Sequence, residues 1–209
     1  MDSFSQLSSQ NKALERSLRS VDMADDRDIQ SAWDLAADAH SGQRRDEGAE
    51  YIVHPVRVAR ILIDDFHVHD PNLIIAALLH DVVEDTRVTI DDIRKKYNAV
   101  VVRLVDMLTR RRPDNESEEE KQVNKIIKFQ KLMNADYDVR LVKCADILDN
   151  VRSWPRIPTD HPSQHKFPRW FQEAQEWYIP LARSVGPRAV VLMEKAVADG
   201  HGYYEQKST

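Results

Sequence analysis

The stretch AALLHDVVEDT, at residues 76–86, sets ionisable side chains inside an apolar run that begins at Leu73. Those side chains are His80, Asp81, Glu84 and Asp85. Since residues three and four apart share one face of a helix, helical spacing gathers them into one patch. Burial of carboxylates and an imidazole lowers stability unless each group finds a partner, and a metal ion is one such partner. The pattern also fits a helix end with a solvated acidic half, so this stretch alone leaves both interpretations open.

The composition indicates a globular protein with one main domain. The chain has 209 residues, of which 42% are hydrophobic and 31% are charged, and this length supports a full hydrophobic core. Only 5 glycines are present, which argues against a glycine-rich phosphate loop and against a turn-dense all-β fold. The formal net charge of −5 argues against broad nucleic-acid binding, although a local basic cluster can still bind an anionic small molecule.

Several absences in the sequence bear on location. No apolar run approaches the roughly 18 residues of a membrane-spanning helix, and residues 1–20 lack the apolar centre of a signal peptide. The single cysteine, Cys144, excludes an internal disulfide and fits a reducing compartment. We therefore expect a cytoplasmic protein with no membrane partner, and we leave a homo-oligomer open.

Hydrophobic residues recur with the period of a helix along nearly the whole chain, and alternation with a period of two is scarce. The first firm helix is predicted at residues 25–40. Further helices are predicted to begin at Pro55, Asp70-Pro71 and Thr89, and to cover residues 101–108, 123–133, 138–154, 169–184 and 187–199. We therefore predict an all-α bundle of roughly eight to ten helices.

The polar segments suggest how the chain is divided. We predict an N-terminal extension, a main domain and a C-terminal tail, at residues 1–24, 25–200 and 201–209. In the extension, both a loose helix around Leu14 and Leu18 and a disordered segment are open. Residues 110–121 are predicted to form a charged surface loop, and residues 155–168, with their prolines, an ordered connection or lid.

Histidine and carboxylate side chains recur at helix ends and on inward faces. His54 precedes a helix, and Asp146 lies between apolar residues in a later one. With His80 and Asp81 they make a mixed nitrogen and oxygen ligand set. Such a set suits manganese or iron, with zinc as an alternative, and it leaves coordination positions for water and substrate. A zinc-finger site is excluded because Cys144 stands alone.

Three motifs carry a family resemblance. AHSGQRRDEGAEYIVHP (39–55), AALLHDVVEDT (76–86) and DVRLVKCADILDNVRSW (138–154) resemble the hydrolase domain of the RelA/SpoT alarmone enzymes, which are HD metal-dependent phosphohydrolases. QEWYIPLARSV (175–185) is similar to the small single-domain members, such as the metazoan SpoT-like proteins. The resemblance implies an HD-domain helical bundle. The chain length leaves no room for the synthetase and regulatory domains of the long enzymes, so we expect a small alarmone hydrolase.

The resemblance also implies roles for residues at the motif positions. It implies a Mn²⁺ site held by His54, His80, Asp81 and Asp146, with Glu84 and Asp85 serving the attacking water. Substrate contacts are implied for Arg45 on the guanine base and for Lys143 and Asn150 on the nucleotide. Apart from the resemblance, we expect Arg44 to supply positive charge beside the substrate. The implied reaction removes the 3′-pyrophosphate of ppGpp or pppGpp, giving GDP or GTP and pyrophosphate. The chemistry is compatible, since a divalent ion polarises a phosphoryl oxygen and a carboxylate accepts a proton from water.

This chain departs from the family pattern at a few positions. It has Asp46 where a second basic residue is frequent, Glu50 where a proline is usual, and Asp149 where a histidine is usual before Asn150. We expect Asp46 and Glu50 to lie beside the nucleobase pocket and to make it more acidic. These departures bear on substrate preference and not on the metal site. The tryptophans, among them Trp154 and Trp170, are expected to serve packing and not base stacking.

Two other functions stay open at this level. One is a related HD hydrolase that acts on another nucleotide, such as NADPH or a nucleoside monophosphate. The other is a degenerate HD domain that binds a nucleotide and signals to a partner. The complete set of ligands and acidic residues argues against degeneracy, because a site that has lost its activity has no reason to keep them.

Overall fold

The structure, a computed structural model, describes residues 2–110 and 117–208, without the side chains of residues 118, 119, 121, 122, 207 and 208. Its α-helices are α1 (Leu7–Ser20), α2 (Arg27–Ala39), α3 (Val53–Arg60), α4 (Pro71–Leu79), α5 (Val82–Asp85), α6 (Ile90–Lys96), α7 (Ala99–Leu108), α8 (Glu118–Met133), α9 (Tyr137–Ser153), α10 (Phe167–Glu173), α11 (Ile179–Val185) and α12 (Pro187–Ser208). Short π-helical or 3₁₀ turns occupy Ile61–Asp65, Trp154–Arg156, Pro162–Lys166 and Ala174–Tyr178. No β-strand occurs among the described residues, which confirms the predicted all-α bundle.

Helix α4 lies at the centre of the bundle. Every residue from Leu73 to Leu79 is buried, and the helix packs against α2, α3, α7 and α9. It begins as the sequence predicts, because the Asp70 side chain accepts a hydrogen bond from the backbone N–H of Asn72 and Pro71 follows at the first position. Since the helix is apolar on all sides, polar side chains can be presented only at its end.

The predicted helix through residues 76–86 is interrupted at His80 and Asp81, which corrects the expectation from helical spacing. Helix α4 ends one residue before this pair, and α5 begins one residue after it. The His80 ring donates from Nδ1 to the carbonyl oxygen of Ala77 at 2.8 Å. In a continuous helix that carbonyl would accept the backbone N–H of Asp81, so the side chain competes with the helix. The acidic pair that follows lies in the separate, short α5.

Helices α3 and α9 carry the other predicted ligands. His54 lies in the first turn of α3, followed by Pro55. Helix α9 carries Asp146, and Asp149 and Asn150 follow it by three and four residues, so each lies next to Asp146 on the helix surface. Because α3 packs against both α4 and α9, the three sequence motifs meet in space.

The N-terminal extension contains helix α1, in agreement with one of its two interpretations. Leu14 and Leu18 are fully buried, and α1 packs against α3. At the other end, α12 continues through Ser208 and does not end near residue 199. The division into extension, domain and tail stays a prediction. In the described part of the chain, no helix is both long and apolar enough to cross a membrane.

The predicted charged loop at residues 110–121 is shorter than expected at its C-terminal end. Its residues 111–116 lie outside the described part of the chain. Helix α8 begins already at Glu118, because Ser117 and Glu120 form a capping box in which each side chain accepts a hydrogen bond from the other's backbone N–H.

We expect Leu18→Ala to lower the free energy of unfolding by about 2–5 kcal/mol, because it leaves a cavity beneath α1. Urea unfolding followed by circular dichroism measures the change. Glu15→Ala, on the exposed face of the same helix, is the matched control and should alter stability by less than about 0.5 kcal/mol. An effect of Leu18→Ala no larger than that of the control would show that α1 is not part of the folded core.

Candidate metal centre and adjoining cavity

The side chains of the four predicted ligands converge between α3, α4 and α9. Nε2 of His54 lies 3.2 Å from Oδ1 of Asp146 and 3.5 Å from Oδ2 of Asp81. Nε2 of His80 lies 3.1 Å from Oδ2 of Asp81 and 3.7 Å from Oδ1 of Asp146. The Asp81 side chain keeps 16% of its surface exposed while the other three are almost fully buried, so the cluster opens to solvent beside Asp81.

Each histidine is held through Nδ1, which leaves Nε2 directed into the cluster. The partner of His54 is Oδ2 of Asp149 at 2.7 Å, and the partner of His80 is the Ala77 carbonyl oxygen. Since both partners are acceptors, the neutral imidazoles carry their proton on Nδ1 and offer a lone pair at Nε2. Nε2 of His80 is buried and has no hydrogen-bond partner among the described residues. A buried nitrogen of this kind, aimed at two carboxylates, fits a divalent cation.

The two carboxylates of the cluster have partners of their own. Asp146 accepts a hydrogen bond at Oδ1 from Nδ2 of Asn150 at 2.7 Å, and its Oδ2 lies 2.7 Å from Nζ of Lys143. Asp81 accepts a hydrogen bond at Oδ2 from the hydroxyl of Tyr51 at 2.7 Å. These contacts hold both carboxylates in place before any ligand binds.

The charges within the cluster decide its pKa values. Burial alone would raise the pKa of Asp146, but the Lys143 ammonium, His54 and His80 together outweigh burial and hold this pKa well below its usual range. Burial also opposes ionisation of Asp81, but His80 and His54 together outweigh it, so the pKa of Asp81 is lowered. For His80, burial favours the neutral form, but the two carboxylates prevail and raise its pKa to about 10. A cation that binds here therefore displaces a proton.

Glu84 and Asp85, the residues expected to serve the attacking water, have different neighbours. Glu84 accepts hydrogen bonds from the backbone N–H and from Nε of Arg110, both at 2.9 Å. Burial raises the pKa of Glu84, and Arg110 opposes that rise. Asp85 is exposed and accepts a hydrogen bond from the Tyr51 hydroxyl at 3.0 Å. Because the same hydroxyl contacts Asp81, Tyr51 connects Asp85 to the cluster.

A cavity of about 330 Å³ adjoins the cluster, and Asn150 lies in the wall between them. The lining residues that are charged or aromatic are Arg44, Arg45, Asp46, Glu47, Tyr51, Trp154, Trp170 and Tyr178. Arg45 donates from Nη2 to Oδ1 of Asn150 at 2.6 Å, and its guanidinium carbon lies 5.5 Å from the centre of the Tyr51 ring. Asn150 thereby links Asp146 in the cluster to Arg45 in the cavity.

The predicted substrate residues fall in two places. Arg44, Arg45 and Asn150 line the cavity, with Arg44 on its exposed side. Lys143 lies on Asp146 and is not among the lining residues. Trp154 and Trp170 stack in parallel with ring centroids 5.6 Å apart, which fits the expected packing role, but both also form part of the cavity wall.

The three residues that depart from the family pattern also lie in different places in the structure. Asp46 lines the cavity and accepts a hydrogen bond from the hydroxyl of Ser163 at 2.6 Å. Glu50 is exposed and is not among the lining residues. Asp149 was expected to bear on substrate preference, yet it is not a lining residue either and contacts His54 behind the cluster. The expectation for Asp149 is therefore corrected, because its carboxylate binds the proposed metal ligand His54 and does not line the cavity.

The motif argument misses Tyr51 and Arg57. Tyr51 belongs to the first motif, three residues before His54, and that position was the available signal. Arg57 has a weaker signal, because arginines on amphipathic helices usually face water. In the structure Arg57 is 3% exposed and donates from Nε and Nη2 to the two oxygens of Asp149, at 2.7 and 3.0 Å. Burial opposes ionisation of Asp149, but Arg57 and His54 together outweigh it and hold the pKa of Asp149 well below its usual range.

Comparisons with known proteins agree with this architecture. A family model described as an HD domain matches residues 32–187. Guanosine-3′,5′-bis(diphosphate) 3′-pyrophosphohydrolase MESH1 from Homo sapiens is 36% identical over 147 residues, which are 69% of this chain and 79% of that protein. A GTP pyrophosphokinase from Myxococcus xanthus is 36% identical over 162 residues, which are 76% of this chain. This chain spans 20% of the length of that long relative.

A solved structure extends the likeness to three dimensions. It is described as a metazoan orthologue of SpoT that hydrolyses ppGpp and plays a role in starvation responses. The TM-score is 0.71 at 26% sequence identity, and the match covers 83% of this chain and 95% of the other. The similarity therefore includes nearly the whole of that protein.

We expect Mn²⁺ at 100 times its Kd to raise the free energy of unfolding by about 2.7 kcal/mol, since a ligand that binds only the folded state stabilises it by mass action. Urea unfolding with Mn²⁺ and with EDTA measures the difference. Asp81→Ala and Asp146→Ala should each abolish it, while Asp34→Ala, exposed on α2, should keep it. Full stabilisation by Mn²⁺ in either site variant would refute the ligand assignment.

Proposed function

The chain belongs to the HD-domain family, in its group of small alarmone hydrolases, and we propose that it removes the 3′-pyrophosphate from ppGpp or pppGpp. The observation that carries the proposal is the convergence of two imidazoles and two carboxylates beside a cavity lined by arginine and aromatic rings. Such a ligand set supports phosphoryl chemistry, and such a cavity suits a purine base.

We assign His54, His80, Asp81 and Asp146 as the residues that would hold a divalent cation, with Mn²⁺ as the proposed ion. A nitrogen and oxygen set without thiolates suits Mn²⁺. When bound, the cation lowers the pKa of a water molecule and polarises a phosphoryl oxygen. The protein contributes the orientation of both Nε2 atoms, which the hydrogen bonds at Nδ1 hold in advance.

Glu84 is proposed as the group that accepts the proton of the attacking water. Its pKa is raised by burial, which moves the carboxylate towards the range in which a general base works at neutral pH. Arg110 fixes the carboxylate from one side, and the link from Tyr51 to Asp85 places a second carboxylate near the cluster. In the reaction, the hydroxyl of water goes to phosphorus, the bond from phosphorus to the 3′-oxygen breaks, and a proton goes to that oxygen.

The substrate is proposed to lie across the cavity and the cluster. Arg45 offers a planar guanidinium to the guanine base, and Asn150, fixed between Asp146 and Arg45, contacts the nucleotide. Lys143 and Arg44 supply positive charge at the cluster and at the exposed side of the cavity, respectively. Because ppGpp carries phosphates at both its 3′ and 5′ positions, two separated basic groups suit it.

A cytoplasmic location is part of the proposal. It is supported by the free thiol of Cys144, which is buried within α9. Burial raises the pKa of this thiol to about 12, so it stays protonated and unreactive at neutral pH. The free thiol fits a reducing compartment, and the proposed binding partner there is a small nucleotide.

The purified protein should release GDP and pyrophosphate in equal amounts from ppGpp in the presence of Mn²⁺, as followed by anion-exchange chromatography. EDTA should stop the reaction because the ligand cluster then lacks its cation. Turnover of NADPH or a nucleoside monophosphate without turnover of ppGpp would contradict the proposal and favour another HD hydrolase. Nucleotide binding without turnover at any divalent metal would favour a binding module.

Glu84→Gln should retain Mn²⁺ binding and lower kcat by about 10²- to 10⁴-fold, because an amide cannot accept the proton of water. Calorimetric titration with Mn²⁺ and steady-state kinetics with ppGpp measure the two effects. Glu194→Gln, exposed on α12, is the matched control and should leave both unchanged. A wild-type kcat in Glu84→Gln would remove Glu84 from the role of general base.

A further inference from the structure

We infer that Asp149 and Arg57 are positioning residues of the metal centre and that Phe4, in the N-terminal segment, holds Arg57 in place. The inference rests on the metal site of the proposed function. Its observations come from the side of His54 that faces away from the cluster. None of the three residues is among those that line the cavity.

Asp149 meets His54 at the ring nitrogen that points away from the cluster. Oδ2 of Asp149 lies 2.7 Å from Nδ1 of His54, and both side chains are 1% exposed. The bond fixes the plane of the imidazole and keeps its proton on Nδ1. Nε2 is then left for the cluster, 3.2 Å from Oδ1 of Asp146. A carboxylate partner also makes the imidazole a stronger ligand.

Arg57 fixes the carboxylate of Asp149 in turn. Nε donates to Oδ1 at 2.7 Å and Nη2 donates to Oδ2 at 3.0 Å, which is a bidentate pair. Oδ2 of Asp149 therefore accepts from both Arg57 and His54. Because all three side chains are buried, rotation of the carboxylate would break hydrogen bonds that water cannot replace.

Arg57 also reaches the N-terminal segment, a second carboxylate and the hydroxyl of Ser153, the last from Nη2 at 3.2 Å. Nη1 donates to the backbone carbonyl of Phe4 at 3.0 Å, and Nη2 lies 3.1 Å from Oε1 of Glu47. The guanidinium carbon of Arg57 lies 3.9 Å from the centre of the Phe4 ring, and that of Arg156 lies 3.8 Å from the same ring. Phe4 thus binds Arg57 through its backbone and its ring.

The two ligand histidines are therefore held by different means. His80 depends on Ala77, in the helix that directly precedes it. His54 depends on side chains from α3, α9 and the segment before α1, and that segment precedes the part of the chain that matches the HD-domain model, residues 32–187. Changes behind His54 should accordingly alter metal binding directly. They reach the substrate cavity only through the contacts of Arg57 with Glu47 and Ser153.

The main test is the double variant Arg57→Met/Asp149→Leu. Both members of the pair are replaced because removal of one would leave the other as a buried, unpaired charge, whereas an apolar pair of similar size is often tolerated. Glu47, which also contacts Arg57, keeps Arg45 as a partner at 3.7 Å. Calorimetric titration with Mn²⁺, without nucleotide, should show binding weakened by about 10- to 100-fold. Circular dichroism and the cation-free Tm establish that the variant is folded.

The matched control is Arg152→Met/Asp65→Leu. It removes another arginine–aspartate pair, between Arg152 of α9 and Asp65 of the turn Ile61–Asp65, with Nη1 and Oδ2 at 2.7 Å and no contact with His54. This control should bind Mn²⁺ with the wild-type Kd. Weakening equal to that of the test variant would mean that loss of any such pair disturbs the site, and it would overturn the inference.

A spectroscopic readout separates positioning from a general structural role. Long-range ¹H–¹⁵N spectra of the cation-free protein at pH 8 should show the His54 proton on Nδ1 in the wild type. In the test variant the proton should move towards Nε2, because Nδ1 has lost its acceptor while Asp146 remains beside Nε2. An unchanged tautomer in a folded test variant would overturn the role of Asp149.

Phe4→Ala tests the N-terminal contact and leaves all buried charges in place. It keeps the backbone carbonyl and removes the ring, so Mn²⁺ binding should weaken by about two- to fivefold, the size of a modest cation–π contact. A wild-type Kd for Mn²⁺ would overturn the role of Phe4. Since these titrations contain no nucleotide, they stand even if the hydrolysis assay shows that ppGpp is not the substrate.

Discussion

The site depends on the way in which two carboxylates of α9 enclose the imidazole of His54. Asp146 and Asp149 are three residues apart and share a helix face, and they meet the ring at Nε2 and Nδ1, at 3.2 and 2.7 Å. Two buried carboxylates on one face repel each other unless a cation stands beside each. Lys143 forms an ion pair with Asp146, and Arg57 forms one with Asp149. The packing of α3 on α9 is thus tied to charge balance as much as to apolar contact.

Side chains of alternating positive and negative charge continue from the cluster to the cavity. Glu47 lies between Arg57 and Arg45, with its carboxylate oxygens 3.1 and 3.7 Å from their nitrogens. Arg45 donates to Asn150, and Asn150 donates to Asp146. The polar contacts therefore form a closed path that begins and ends at the two carboxylates around the ligand histidine. A base placed against Arg45 and a cation held by Asp146 would act on the same connected set of groups, which supports treating cavity and cluster as one site.

Much of the fold follows from local features of the sequence. Hydrophobic periodicity and caps are local, so Asp70 and Thr89 begin helices where the sequence predicts. The break after α4 could not be predicted, because it depends on the ring of His80 competing for a backbone carbonyl. Motif order predicts which ligand residues gather, but the contact between Arg57 and Asp149 joins residues 92 positions apart. Nothing in either helix alone shows that the arginine turns inward, since burial of a guanidinium depends on a carboxylate from elsewhere in the fold.

Helix α1 strengthens the ion pair between Arg57 and Asp149 by helping to keep water away from it. An exposed ion pair contributes at most about 1 kcal/mol, because water competes for both partners. Charge interactions and hydrogen bonds strengthen where water is excluded. Leu14 and Leu18 anchor α1 against the bundle, and Phe4 then covers the guanidinium of Arg57. Ordering each residue before α1 costs about 1–2 kcal/mol of backbone conformational entropy. The burial of Leu14 and Leu18 offsets this cost, and the ion pair itself does not. Residues that precede the matched family domain thereby shield from water an arginine that supports a ligand histidine.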